Sequence, residues 1–222
     1  MYNKFFFLHI DKTINVSVDI NIMHSLYRII ERHGIDTSYN LKHSDHNRWH
    51  LFDEPAFIFT IFRNPLLRTT ADFTQSMLYD EFGIRRTNPH GAHVDDGFDP
   101  SLDDFEKWLY TFHTPNYQAR SLFNGLRNVS HETIAERLKE INLMVKEDDL
   151  YGQAKQNQVA NKILSDLGIN ETIKVPWIPE VAFQERQANL FYNNKLKGTS
   201  LETVVRDLNK SDLFIYEGNF NL

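Results

Sequence analysis

Residues 5–17 of the chain read Phe5-Phe6-Phe7-Leu8-His9-Ile10-Asp11-Lys12-Thr13-Ile14-Asn15-Val16-Ser17. The four apolar residues at the start predict a short strand that is buried on both faces, as in a parallel sheet. A polar turn with Lys12 follows, and helical spacing of apolar residues begins at Val18. A helix N-terminus offers free N–H groups and partial positive charge, so this arrangement is typical of loops that hold phosphate.

A second unit of the same kind begins at residue 56. Ala56 to Phe62 is apolar and rich in aromatic and β-branched residues, which favours a central strand of a parallel sheet. Arg63-Asn64-Pro65 ends the strand, and Pro65 suits the first turn of a helix that we predict to run to about Gly83. The chain therefore repeats an order of strand, polar loop and helix.

The remaining pattern predicts more helices and one further strand. Further helices are expected at 18–33, ending before Gly34, at 101–112 with Ser101 as its cap, at 131–140, from Asp148 or Asp149 to Leu167, and at 200–208 with Ser200 as its cap. Residues 142–145 predict a third buried strand, whereas 35–55, 84–100 and 169–199 read as irregular. We predict one α/β domain over residues 1–222, with a mainly parallel sheet flanked by helices.

Composition narrows the class of protein. The chain has 222 residues, 41% of them hydrophobic, and a formal charge of −6, which argues against general nucleic-acid binding. No apolar run approaches the ~20 residues that a membrane helix needs, and the N-terminus lacks a signal peptide's apolar core. The absence of cysteine fits a reducing compartment, so we expect a cytoplasmic protein without membrane or nucleic-acid partners.

The first loop resembles the 5′-phosphosulfate loop of sulfotransferases that use 3′-phosphoadenosine-5′-phosphosulfate (PAPS). In the branch that includes carbohydrate O-sulfotransferases this loop reads His-Ile-Pro-Lys-Thr-Gly-Gly-Thr-Ser. Five residues match it in register: His9, Ile10, Lys12, Thr13 and Ser17. Asp11 replaces the proline, Ile14 and Asn15 replace the two glycines, and Val16 replaces the second threonine.

The second loop resembles the 3′-phosphate loop of the same family, Arg-Asp-Pro-x-x-Arg-x-x-Ser. Arg63, Pro65 and Arg68 match, Asn64 stands for the aspartate, and Ala71 stands for the serine. Thr70 or Thr69 is a candidate to replace that serine. Farther along, Asn116, Gln118, Arg120 and Leu122 resemble an Asn-x-Gln-x-Arg-x-Leu segment of bacterial relatives, and Asp212 to Tyr216 resembles the family's terminal segment, which packs on the core.

The resemblance implies a P-loop-like three-layer fold and a PAPS-dependent O-sulfotransferase that needs no metal. PAPS would be the co-substrate and a hydroxyl, expected on a saccharide, the acceptor. The resemblance assigns the 5′-phosphate to Lys12, Thr13, Ile14, Asn15, Val16 and Ser17, and the 3′-phosphate to Arg63, Arg68 and Thr70. Lys12 would also stabilise charge on the leaving phosphate during transfer.

The transfer also needs a base for the acceptor hydroxyl. His50 precedes the second strand at the place where carbohydrate sulfotransferases carry a catalytic histidine, and an imidazole suits the task. His9 is the second candidate, and Asp53 and Glu54 are weaker ones. Acceptor contacts are expected from the following residues: His9, Arg85, His90, His93, Gln118 and Arg120.

Other interpretations of the sequence stay open. The changes at Ile14, Asn15, Val16 and Ala71 are compatible with a relative that has kept the fold and lost catalysis. A small-molecule kinase is a third class, with residues 147–149 as the nearest candidates for holding Mg²⁺. The histidines at 43, 46 and 50 share a spacing that would suit a metal site on a helix, or lie in a solvated loop.

Overall fold

Three parallel strands form the central sheet of the computed structural model, which describes residues 2–10, 16–37, 55–79, 99–123, 125–176 and 183–218. The strands are β1 (Lys4–Leu8), β2 (Ala56–Phe62) and β3 (Leu143–Lys146), in the order β1-β2-β3. Lys4 pairs with Ala56 and Phe59 with Leu143. The α/β class and the parallel pairing are thus as predicted.

Nine α-helices are present in the described residues; some of them cover the faces of the sheet, and others form a cluster beside it. Their bounds are α1 (Val16–Arg32), α2 (Pro65–Tyr79), α3 (Leu102–Thr111), α4 (Tyr117–Ser121), α5 (His131–Leu138), α6 (Gln153–Asp166), α7 (Phe183–Phe191), α8 (Ser200–Leu208) and α9 (Lys210–Glu217). α1 ends as predicted, since Gly34 has a φ of 76° and Ile35 N–H donates to Ile30 C=O at 3.3 Å. Ser101 caps α3 with Asp104 in a capping box, also as predicted.

Each face of the sheet is covered by its own set of helices. Phe5, Phe7, Phe57, Phe59 and Ile61 lie in one buried cluster with apolar residues of α1 and α6. The alternate positions Phe6, Leu8, Ile58 and Phe62 lie in a second cluster with residues of α4, α5 and α9. The strands are apolar on both sides because both sides are buried, which is why their sequences do not alternate with polar residues.

The path of the chain changes direction between β1 and β2. After α1 the chain returns at Asp36, which forms a parallel bridge with Lys4. Because Lys4 is already paired with Ala56, Asp36 lies along the other edge of β1. From β2 the chain instead passes through helices on the opposite face and reaches β3 on the far side. Such a reversal is the place where open α/β sheets bind ligands, at the carboxyl ends of the strands.

A helical cluster lies beside the sheet and was only partly predicted. Phe73 of α2, Phe105 and Trp108 of α3, and Phe191 of α7 pack their rings 5.0–6.0 Å apart between centroids. The prediction that 169–199 is irregular was therefore wrong, because α7 and a π-helical turn at Tyr192–Leu196 bury Ala188, Phe191 and Leu196.

Smaller differences from the predicted elements have local causes. The third strand is followed by a 3₁₀ turn at Glu147–Leu150, and Gly152 (φ 104°) separates that turn from α6. Thr199 rather than Ser200 caps α8, because its hydroxyl accepts a hydrogen bond from Glu202 N–H. A further helix that we did not predict, α9, follows α8.

Within the described ranges, none of the helices combines the length and apolar character that crossing a membrane demands.

Candidate functional site at the carboxyl edge of the sheet

An ion pair joins the ends of β2 and β3. Phe62 pairs with Lys146 at the last position of the ladder, so the next residues, Arg63 and Glu147, lie side by side. The Nε atom of Arg63 is 2.9 Å from Oε2 of Glu147, and neither side chain is more than 4% exposed. Arg63 therefore lies at the carboxyl end of β2, directly after the strand as predicted, where solvent screens its charge little.

Gln118 of α4 holds the main chain of Arg63 on both sides. The Gln118 carbonyl accepts a hydrogen bond from Arg63 N–H at 2.9 Å, and its amide nitrogen donates to Arg63 C=O at 2.8 Å. Gln118 is fully buried. Its amide thus satisfies the two polar groups that the end of β2 leaves without a strand partner.

α4 is in turn held by α9, over 90 residues later in the chain. The Asp212 carboxylate accepts hydrogen bonds from Gln118 N–H at 3.1 Å and from Ala119 N–H at 2.7 Å. In return the side-chain oxygen Oδ1 of Asn116 accepts a hydrogen bond from Ser211 N–H at 2.8 Å. Each helix therefore supplies the cap for the first turn of the other, which we call the α4–α9 clasp.

Two titratable groups near Arg68 have shifted pKa values. Burial raises the pKa of Asp212 to about 6, although the hydrogen bonds from α4 and the charge of Arg68 oppose the rise. The pKa of His113 is lowered to about 4, mainly by burial and to a smaller extent by the charge of Arg68. The Arg68 guanidinium is buried as well, with its central carbon 3.9 Å from the centre of the Tyr117 ring.

The segment that resembles the 3′-phosphate loop forms the start of α2. The Asn64 side chain accepts a hydrogen bond from Leu66 N–H at 3.0 Å and so caps the helix. The Thr70 hydroxyl is buried, and it lies within hydrogen-bond distance of Leu66 C=O (3.2 Å) and Leu67 C=O (3.0 Å) in its own helix. Arg63 lies at the edge, whereas Arg68 and Thr70 are engaged inside the fold.

Several predicted site residues lie outside the described residues: Lys12, Thr13, Ile14, Asn15, His50, Arg85, His90 and His93. Val16 and Ser17 begin α1. His9 follows β1 and is half-buried, with its ring 5.7 Å from that of Phe7. The end of β1 is tied to β2, because the Thr60 hydroxyl donates to Leu8 C=O at 2.8 Å.

Gln118 and Arg120, which we expected at one acceptor site, are not brought together. Gln118 faces the main chain of Arg63, and Arg120 lines a separate cavity beside α4. Sequence reasoning also missed Glu147 as the partner of Arg63, and Asp212 as the anchor of α4. Asp212 follows Asn209 near the start of a helix, but that pattern alone indicates a cap within α9, not a cap for another helix.

Comparisons of the chain with protein-family models, with curated proteins and with solved structures found no match. The functional assignment therefore depends on the residues and on their arrangement at this edge.

Proposed function

We propose that the protein is a PAPS-dependent O-sulfotransferase with a P-loop-like fold, which acts in the cytoplasm on a hydroxyl of a saccharide. One observation supports this most strongly. The two segments that resemble the phosphate loops follow β1 and β2, which are adjacent parallel strands on either side of the point where the chain reverses direction. PAPS carries phosphate on the 3′ and 5′ oxygens of one ribose, so two neighbouring loops would suit it, with one loop for each phosphate.

The proposed chemistry assigns a separate task to each loop. Main-chain N–H groups of residues 13–17 and the Lys12 ammonium would bind the 5′-phosphate, and Arg63 would bind the 3′-phosphate. His50 would take the proton of the acceptor hydroxyl while that oxygen forms a bond to sulfur. The bond from sulfur to the 5′-phosphate oxygen breaks, and Lys12 stabilises the negative charge that the leaving adenosine 3′,5′-bisphosphate acquires.

Calorimetric titration with adenosine 3′,5′-bisphosphate tests the proposal, with ATP and Mg²⁺ as the comparison. We expect saturable one-to-one binding of the bisphosphate and weaker binding of ATP. Transfer of label from ³⁵S-labelled PAPS to a panel of saccharides then tests catalysis. Stronger binding of ATP with Mg²⁺ would contradict the proposal and favour a kinase.

A catalytically inactive relative that binds a nucleotide or a protein partner is the second candidate. The ion pair with Glu147 favours it, because that carboxylate already neutralises much of the charge that Arg63 would offer to a phosphate. The replacements at Ile14, Asn15, Val16 and Ala71 point the same way. Binding of the bisphosphate without transfer of label to any saccharide would support this candidate, and binding of neither nucleotide would point to a protein partner.

A further inference from the structure

A cavity of about 310 Å³ lies beside α4. Polar side chains make up much of its lining, and they include the following six: His113, Asn116, Arg120, Arg127, Asn128 and Ser211. The volume is at the lower end of the range for ligand pockets, so a molecule the size of a single sugar fits it.

The cavity is separate from the carboxyl edge of the sheet. Asn116 and Arg120 are four residues apart and lie on one side of α4, and both line the cavity. Gln118 projects from the other side of α4 and holds the main chain of Arg63. The short helix therefore forms a wall between the two.

The charge of the lining is positive. Arg120 and Arg127 both line the cavity, and none of the described lining residues is acidic. Arg120 donates from Nε to Gly125 C=O at 3.2 Å, and neither arginine forms an ion pair with a carboxylate of the described residues. His113 is neutral near pH 7, because burial lowers its pKa to about 4, so the two guanidinium groups carry the charge.

Two asparagines of the cavity lining have a left-handed main-chain conformation. Asn116 and Asn128 have φ values of 51° and 59°, and they are the only non-glycine residues with positive φ in the described ranges. Both line the cavity. After glycine, asparagine is among the residues that adopt the left-handed conformation most readily, so the residue type suits both positions.

We propose that this cavity binds a sugar-sized molecule that carries an oxyanion, a phosphate, sulfate or carboxylate group, with Arg120 and Arg127 as the groups that recognise it. Guanidinium groups bind such oxyanions through paired N–H donors. The proposal does not depend on sulfuryl transfer, since the cavity is distinct from the strand edge.

Calorimetric titration at low ionic strength tests the proposal, with glucose 6-phosphate, glucose 6-sulfate and glucuronate as probes and glucose as the uncharged comparison. We expect saturable one-to-one binding of at least one anionic probe and none of glucose. The double variant Arg120→Gln/Arg127→Gln should weaken that binding about tenfold or more, as the loss of charge-assisted hydrogen bonds implies. The probe that binds tightest identifies the oxyanion.

Two further variants separate binding in the cavity from general attraction of anions. Arg32→Gln removes an exposed arginine on α1, across the sheet from the cavity, and should leave the affinity unchanged. Ser211→Phe fills the cavity without changing its charge and should weaken binding. Thermal unfolding of each variant shows that it is folded.

The proposal would be overturned by the absence of saturable binding of any anionic probe, by unchanged affinity in the double variant, or by an equal loss of affinity in Arg32→Gln. Competition with adenosine 3′,5′-bisphosphate would place the sugar anion at the strand edge and would also overturn it. If the bisphosphate itself does not bind, the titrations with sugar anions still decide the matter, so the two proposals fail independently.

Discussion

Gln118 binds the main chain of Arg63 through two buried hydrogen bonds: its side-chain oxygen accepts from Arg63 N–H at 2.9 Å, and its side-chain nitrogen donates to Arg63 C=O at 2.8 Å. The first residue after β2 is thereby held by a side chain 55 positions later in the chain. A substitution of Gln118 should therefore alter the position of Arg63 in the proposed nucleotide site without removing any charge from that site.

We expect Gln118→Leu to lower the free energy of unfolding by about 2–4 kcal/mol, because two buried polar groups lose their partners. Urea unfolding measures the loss. Ser121→Ala is the matched control on the same helix, since the Ser121 hydroxyl donates only to Tyr117 C=O within α4, and we expect it to cost less than about 1 kcal/mol. Equal costs for the two variants would contradict this account of Gln118.

The ion pair between Arg63 and Glu147 should give strongly non-additive stabilities. Arg63→Met and Glu147→Leu should each cost about 3–5 kcal/mol, because each removes the opposite charge that lies 2.9 Å from the remaining buried group. The double variant should lose much less than the sum, since neither charge of this pair remains. A double-mutant cycle in urea unfolding measures the coupling, and additivity within about 0.5 kcal/mol would show that the two charges do not stabilise each other.

Asp212 and His113 should make opposite contributions to the dependence of stability on pH. The folded pKa of Asp212 is about 6, above its ordinary value of 3.8, so its contribution is present below pH 4 and is lost as the pH rises to 6. The folded pKa of His113 is about 4, below its ordinary 6.5, so its contribution grows as the pH rises from 4 to 6.5. Each is worth about 3 kcal/mol, and they nearly cancel.

In Asp212→Asn only His113 of these two groups still titrates, so the free energy of unfolding should increase with pH. In His113→Phe only Asp212 still titrates, so the free energy of unfolding should decrease with pH. Between pH 4 and 6.5, a plot of the free energy of unfolding against pH should slope upward for Asp212→Asn and downward for His113→Phe, compared with the unmodified protein. Chemical unfolding at a series of pH values measures both slopes. Parallel profiles for all three proteins would show that these groups titrate alike in the folded and unfolded chains.

His50→Ala tests the proposed base. If the protein transfers sulfuryl groups, this variant should lower kcat by about 100-fold or more, as loss of a general base does. The affinity for adenosine 3′,5′-bisphosphate should stay within about twofold, because the base does not hold the nucleotide. His46→Ala is the control from the same segment. Turnover that is equal in the His50 and His46 variants would remove His50 from this role.

The strands could be predicted from the sequence because burial on both faces demands consecutive apolar residues. Ala56 to Phe62 was predicted with its observed bounds, and Gly34 marked the end of α1 through its positive φ. These features depend on neighbouring residues. The parallel pairing followed from the same observation, since strands covered on both sides are characteristic of parallel sheets.

The contacts that hold the candidate site could not be predicted, because their partners are far apart in sequence. Nothing near Asp212 indicates that it caps α4, and nothing near Gln118 indicates that it binds Arg63. One pair of long-range contacts, made by two asparagines of α6, could have been suspected from the sequence. Asn157 and Asn161, four apart on α6, hold the main chain of Val175 and Ile173 by hydrogen bonds of 2.7 Å, and amides at that spacing share one helix face.

The α4–α9 clasp has a consequence for the order in which the molecule is assembled. α4 has only five residues, too few for a helix to persist by itself in water. Its first turn depends on Asp212, so during synthesis the ribosome must make nearly 95 more residues before Gln118 can hold Arg63 in place. The three strands can pair earlier. In a nascent chain that ends before α9, the sheet should form, but Gln118 should not yet hold Arg63 at the candidate site.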